Sequence, residues 1–263
     1  LCKDFVNDEK FLVFLGDNII QRDINQYVSD FKKSNSFASL LLCEVKNPSQ
    51  FGVAEVKNNK IIKITEKPKI PASNLAVTGI YLLTPYIFEV IKKLKPSWRN
   101  ELEIADALQM LIEEDKEISY EMITDFWKDT GTPQDIIEAN KFLLEKMQES
   151  FRGKKEKGTI LEGKVMIGEG TIIKEGVKII GPTIIGKNCI IKKNTIIGQN
   201  TSVGDNSHIT ESIISNSIIM SNCIVKGKIN IINSIIASNS KIIQNQENRE
   251  KSFLLGEGTQ ISI

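Results

Sequence analysis

An α/β domain with a mostly parallel sheet and helices on both faces, followed by a parallel β-helix, is the fold class this sequence predicts. Three observations carry the prediction. Through residue 149, short β-branched runs alternate with amphipathic stretches of helical period. Residues 150–158 (SFRGKKEKG) are charged and glycine-punctuated, which reads as a linker. From 159 to 263 the period becomes six, neither that of a strand nor that of a helix.

In the first part, residues 11–15 read as a buried strand, 24–34 as a helix, and 38–45 and 76–83 as further strands. Residues 85–94 and 103–114 read as helices, the second with Ile104, Leu108, Leu111 and Ile112 on one face. Thr132 opens another helix: Pro133 suits its first turn, and Ile136, Ile137, Asn140, Phe142, Leu143 and Leu144 supply a mostly apolar stripe.

In the second part, Leu161, Ile167, Ile173, Ile179, Ile185, Ile191, Ile197, Val203 and Ile209 are all aliphatic. Two places before each stand small or β-branched residues, from Thr159 and Val165 to Thr201 and Ser207. After one slip of register, a second phase runs through Ile213, Ile219, Val225, Ile231, Ala237 and Ile243. A hexad fits one face of a triangular coil, with an aliphatic residue pointing inward and a turn that tolerates positive φ leading to the next face. Proteins with this repeat resemble one another as left-handed β-helices, so the hand is implied by resemblance and not by spacing.

Bulk composition narrows the function. With 34 basic against 33 acidic residues the net charge is +1, and no dense basic run carries interleaved aromatics, which argues against nucleic acid as a partner. The longest uncharged stretch, 212–225, falls short of a membrane span. Four scattered cysteines, Cys2, Cys43, Cys189 and Cys223, form no Cys-x-x-Cys pair, which points to a reduced, cytoplasmic compartment. The chain opens in mid-pattern without a methionine, and reads as a fragment.

Three motifs could carry chemistry. Leu15-Gly16-Asp17-Asn18 ends an apolar strand, where ligands sit in open α/β sheets; Asp17 could hold a cation and Gly16 admit a phosphate to the backbone. Glu66-Lys67-Pro68 offers a carboxylate for hydroxyls and an ammonium for a phosphate, ahead of Val77-Thr78-Gly79-Ile80-Tyr81. Trp127-Lys128-Asp129-Thr130-Gly131-Thr132-Pro133 sets an aspartate at a strand end before a helix, where Asp129 or Thr132 could equally be a cap.

In this order, with Phe51-Gly52-Val53, Arg99-Asn100-Glu101-Leu102-Glu103-Ile104 and the tail segments 211–214, 233–236 and 255–258, the motifs resemble the sugar-1-phosphate nucleotidyltransferase family. Within it they are most similar to the long-form glucose-1-phosphate thymidylyltransferases. The resemblance implies a Rossmann-like nucleotidyltransferase domain (1–149) and transfer of a nucleotidyl group from dTTP or UTP to a hexose 1-phosphate, glucose 1-phosphate by default. It further implies Mg²⁺ on Asp17 and Asp129, with Asp17, Lys67 and Asp129 catalytic. Gly16, Asn18, Gly52, Glu66, Lys67, Val77, Thr78, Gly79, Arg99 and Trp127 would line the substrate site.

The family's opening glycine-rich loop with its arginine and lysine has no counterpart here, so the chain by itself is expected to be inactive. Two alternatives stand beside this reading. One is an inert regulatory or assembly subunit of the same fold; the other is an acyltransferase using His208 on the β-helix. A homo-oligomer joined through the β-helix is expected, because open coil ends invite pairing.

Overall fold

The computed structural model describes residues 2–244. It divides into two compact units, Leu1–Asp129 and Thr130–Ile263.

The first unit runs α1 (Lys3–Val6), β1 (Phe11–Phe14), β2 (Asn18–Ile20), α2 (Asn25–Lys33), β3 (Ala38–Glu44), β4 (Gly52–Lys57), β5 (Lys60–Glu66), β6 (Leu75–Leu83), α3 (Ile87–Ile91), α4 (Ile104–Glu113), β7 (Ile118–Ile123) and β8 (Trp127–Asp129). The sheet order is β5-β4-β6-β3-β7, with β1 also on β6. Four strands, β1, β3, β4 and β7, share one direction, but β6 runs against them through the middle, so β3–β7 is the parallel pair and the other pairings are antiparallel. Four of the six strands thus run the same way, as a mostly parallel sheet requires, and the antiparallel pairings are those made by β6 and β5. One reason is local: Asn58 and Asn59, both at positive φ, turn β4 directly back into β5 as a two-residue hairpin.

Alternation along β3 and β6 divides the core. Leu40, Leu42, Val77, Tyr81 and Leu83 pack on one face with Ile87 and Val90 of α3 and Ala107, Leu108 and Leu111 of α4. Leu41, Ile80 and Leu82 pack on the other with Tyr27 and Phe31, one turn apart on α2. Helices therefore cover both faces, as expected. β1 is half-buried rather than buried, with Leu12 and Phe14 pointing outward at 38% and 39% exposure. One edge of β6 is shared: β4 meets it at Ala76 and β1 at Ile80 to Leu83, and residues 77–79 lie between these two pairings.

The second unit opens with α5 (Pro133–Lys146). Thr132 caps it, accepting from the Asp135 N–H while Asp135 accepts from the Thr132 N–H, so the cap belongs to Thr132 and Asp135 and not to Asp129. Ile137, Ala139 and Leu144 are its buried face, whereas Ile136 and Leu143 of the expected stripe are exposed. Asn140 bonds the solenoid, donating to the Asn200 carbonyl at 3.1 Å and accepting from Ser202 Oγ at 2.6 Å.

The segment read as a linker contributes β9 (Ser150–Phe151) and β10 (Lys154–Lys155), which pair with strands at 165–167 and 172–173 and so begin the first coil. About five turns of parallel strands follow. Ile167, Ile173, Ile179, Ile185, Ile191, Ile197 and Ile209 are wholly buried, and Val203 is 2% exposed. The small residues two places earlier line the interior too, and several satisfy a corner carbonyl of the next coil, as Thr171 Oγ1 does with Gly186 O at 2.6 Å and Thr183 Oγ1 with Gly198 O at 2.9 Å.

Corners explain the period. Gly158, Gly163, Gly170, Gly176, Asn188, Asn194, Asn200 and Asn206 hold left-handed φ, most of them spaced by six or a multiple of six, while Gly181-Pro182 makes the corner between the strands at 178–180 and 183–185. Beyond 206 the left-handed residues are Glu211, Asn216, Asn222, Gly227, Asn233 and Asn239, closer together at several steps. Coil length shortens accordingly: Ile172 pairs Ile190, but His208 pairs Ile224 and Ile224 pairs Lys241. The inward residues are therefore Ile214, Ile236 and Ile242, correcting Ile213, Ala237 and Ile243. Segment 255–258 lies outside the described residues.

Ile191→Ala, which empties a position with aliphatic residues stacked above and below, is expected to cost about 2–4 kcal/mol in denaturant unfolding. Ile196→Thr on the outward side should stay within about 0.5 kcal/mol.

Candidate active site

Two three-residue strands build the site. β2 and β8 pair antiparallel with Asn18 opposite Asp129 and Ile20 opposite Trp127. Asp17, in the turn that precedes β2, is therefore the chain neighbour of the residue that pairs with Asp129, although the sequence separates the two aspartates widely. The turn is closed by the Asn18 N–H on the Leu15 carbonyl at 3.1 Å, and Leu15 N–H bonds the Gly79 carbonyl at 2.8 Å. A β-carbon on Gly16 would meet nothing within 4 Å, so the backbone there is open to a ligand.

Asn18 is buried and ties the motif together. Its Nδ2 donates to Asp17 Oδ1 at 2.9 Å, while its Oδ1 accepts from Gly79 N at 3.1 Å and Trp127 Nε1 at 2.7 Å. The Trp127 ring stands edge-on to Phe51, with centroids 5.5 Å apart. Val77 packs in the core and Thr78 is wholly buried, with Oγ1 lacking a hydrogen-bond partner among the described residues.

Glu66 ends β5 opposite Gly52, and a β-carbon on Gly52 would lie 3.3 Å from Glu66 Oε2. Lys67 follows in left-handed backbone, its N–H bonded to the Phe51 carbonyl at 3.0 Å. Arg99 reaches three carboxylates: Glu101 at 2.9 Å, Glu103 at 3.3 Å and Glu66 at 3.7 Å. Glu103 is itself buried and accepts from Ser97 Oγ at 2.9 Å. Burial, then the neighbouring Glu103 carboxylate, push the Glu66 carboxyl above its ordinary range, against the opposing pull of Lys67 and Arg99.

Tyr81, on β6, is the residue that sequence reasoning left unassigned. Its phenol is pushed up to about 12 by burial and then by the charges of Glu66, Asp129 and Asp17. One hydroxyl thus feels carboxylates from all three predicted motifs. The signal was present in Val77-Thr78-Gly79-Ile80-Tyr81, where Gly79 and Tyr81 share a side of the strand. His208 stands elsewhere, exposed on the outer side of the solenoid between Ile190 and Ile224.

A family model described as Nucleotidyl transferase matches residues 1–146. The chain belongs to that family. A second model, the GMPPB C-terminal domain, matches residues 179–262. Among curated nucleotidyl transferase relatives, the low-salt glycan biosynthesis nucleotidyltransferase Agl11 of Haloferax volcanii is 40% identical over 64% of this chain and 47% of its own length. A glucose-1-phosphate thymidylyltransferase of Streptomyces griseus is 36% identical over 71% and 52%. The bifunctional protein GlmU of Methanocaldococcus jannaschii is 42% identical over 65% and 40%. The chain spans about half the length of the curated relatives it matches. A Bacillus anthracis structure assigned as a glucose-1-phosphate thymidylyltransferase, solved with sucrose, superposes with a TM-score of 0.51 at 42% identity, covering 57% of this chain and 60% of that one.

Nucleotidyl transferases act on a nucleoside triphosphate and a sugar 1-phosphate and generally use a divalent metal. Among the described residues no helix is long and apolar enough to cross a membrane. Removing Arg99 takes away a charge that holds the Glu66 carboxyl down, so Arg99→Ala is expected to raise the Glu66 titration further, as read by carboxyl ¹³C NMR.

Proposed function

We propose that this chain carries the metal and sugar-phosphate side of an active site that transfers a nucleotidyl group from dTTP or UTP to a hexose 1-phosphate, glucose 1-phosphate first among them. The observation that carries the reading is the β2–β8 pairing, which sets Asn18, the residue after Asp17, opposite Asp129, and the charges of Asp17, Asp129 and Glu66 all act on Tyr81. The names of the relatives, thymidylyltransferases among them, support the same substrates.

In this reaction an oxygen of the sugar phosphate attacks the α-phosphorus, the bond from that phosphorus to the β-phosphate oxygen breaks, and pyrophosphate leaves. When bound, Mg²⁺ offsets the negative charge of the phosphates. Asp17 and Asp129 would hold it, a pair of oxygen donors that suits a hard divalent cation.

Glu66 accepts hexose hydroxyls, and Lys67 and Arg99 meet the hexose phosphate. Arg99 already pairs with three carboxylates, so it would exchange at least one of them for the phosphate. Gly52 and Gly79 keep the wall beside Glu66 and Asn18 free of β-carbons, Val77 and Thr78 contribute backbone, and Trp127 supplies an apolar side. Catalysis then rests on positioning and charge, with no covalent intermediate.

A reduced, cytoplasmic setting fits the thiols of Cys2, Cys43, Cys189 and Cys223, all free. Self-association through the solenoid fits Ile160, Ile196 and Ile213, which stand exposed on one outer side. Light scattering tests this: Ile196→Lys with Ile213→Lys should yield monomers, and a monomeric parent chain would overturn it.

Pyrophosphate release from dTTP or UTP with glucose 1-phosphate, assayed on the polypeptide as the cell makes it, is expected to need a divalent cation. It should fall at least about a hundredfold in Asp17→Asn and in Asp129→Asn. Unchanged release in either variant overturns the assignment. Because the Glu66 carboxyl is raised, it protonates at a higher pH than an exposed glutamate. Calorimetric affinity for glucose 1-phosphate should therefore weaken on mild acidification, and Glu66→Gln should lack that component.

A further inference from the structure

Asn18 stands where three distant segments meet, and its side chain points inward. It is 8% exposed, and its amide contacts Asp17, the Gly79 backbone and the Trp127 indole. The partners fix the orientation of the amide: a carboxylate can only accept, and the two N–H groups can only donate. Leucine would satisfy none of these groups. Aspartate would set an oxygen against the Asp17 carboxylate. A carboxamide of this length donates on one side and accepts on the other.

Space for that amide exists because position 79 is glycine. A β-carbon there would lie 2.4 Å from Asn18 Nδ2 and 2.9 Å from its Cγ. The glycine read from the sequence as part of the pocket wall therefore also admits the residue that orients Asp17.

We propose that Asn18 is a positioning residue rather than a substrate ligand, and that it couples the cation carboxylate Asp17 to the sugar-side wall formed by Gly79 and Trp127. The inference rests on the function proposed above, since it assigns Asp17 to a cation and Trp127 to the hexose side. Loss of Asn18 consequently disturbs both halves of the site, whereas loss of Asp17 disturbs one.

Three readouts on this chain test the coupling: Mn²⁺ affinity from the electron paramagnetic resonance of the free ion, metal-free glucose 1-phosphate affinity by calorimetry, and Trp127 emission. The emission is recorded in a Trp98→Phe background, because Trp98 is 77% exposed and would dominate it. Asn18→Ala should weaken Mn²⁺ binding about tenfold, weaken glucose 1-phosphate several-fold, and shift Trp127 emission to the red. Asp17→Ala should lose Mn²⁺ and keep the other two.

A folded Asn18→Ala that changes only melting temperature, or Mn²⁺ affinity alone, overturns the coupling. If Asn18→Ala does not fold, Gly79→Ala displaces the intact amide and should produce the same paired losses; unchanged affinities there overturn it equally. A parent chain that binds neither Mn²⁺ nor glucose 1-phosphate defeats the proposed function and this inference with it, a result distinct from a selective change in the variants.

Discussion

The antiparallel pairing of β2 with β8 holds the candidate site together, and it does so with three residues on each strand. So short a ribbon has little backbone bonding of its own, and a slip of one residue would turn Asn18 and Trp127 to the opposite side. Side chains fix the register at both ends. At one end Asn18 joins Asp17, Gly79 and Trp127. Beyond the other, Arg22 forms a two-pronged bond with Asp125 at 2.8 and 3.0 Å and reaches Thr124 and Tyr27 as well. That fork-on-carboxylate geometry is specific in direction as well as favourable.

The shared edge of β6 does the complementary work. Residues 77–79 fall between the β4 and β1 pairings, and there the Gly79 N–H and carbonyl turn to Asn18 and Leu15. The reversal of β6 within the sheet is thus tied to the site: it brings Gly79 and Tyr81 alongside the turn carrying Asp17. Glu66, Glu103 and Arg99 form a second charged group in which burial raises one carboxyl while the guanidinium opposes it. A phosphate arriving there would compete for a cation that the protein already shares among carboxylates.

In the second unit the governing constraint is the corner. A residue in left-handed conformation ends most faces, and asparagine or glycine takes most of those places because other side chains meet steric resistance there. Corner glycines also make room for the neighbouring coil, as at Gly168, where a β-carbon would lie 2.5 Å from the Gly186 carbonyl carbon. Where corners come closer together the inward position shifts by one, and the aliphatic pattern cannot reveal it because Ile213 and Ile214 are both isoleucine.

The hexad core, the α5 cap at Thr132 and the helices on both sheet faces were legible in the chain itself, because periodicity and capping depend on neighbours within a turn or a coil. The motifs proposed for the site, around Asp17, Glu66 and Asp129, are likewise short local runs of chemically apt residues. Tertiary structure decided the rest: the reversed β6, the first coil in the charged segment 150–155, and the inward Ile214. The reason is one of range. Asn18 meets Trp127 across 109 residues, and no local pattern records which side chains a sheet will bring face to face.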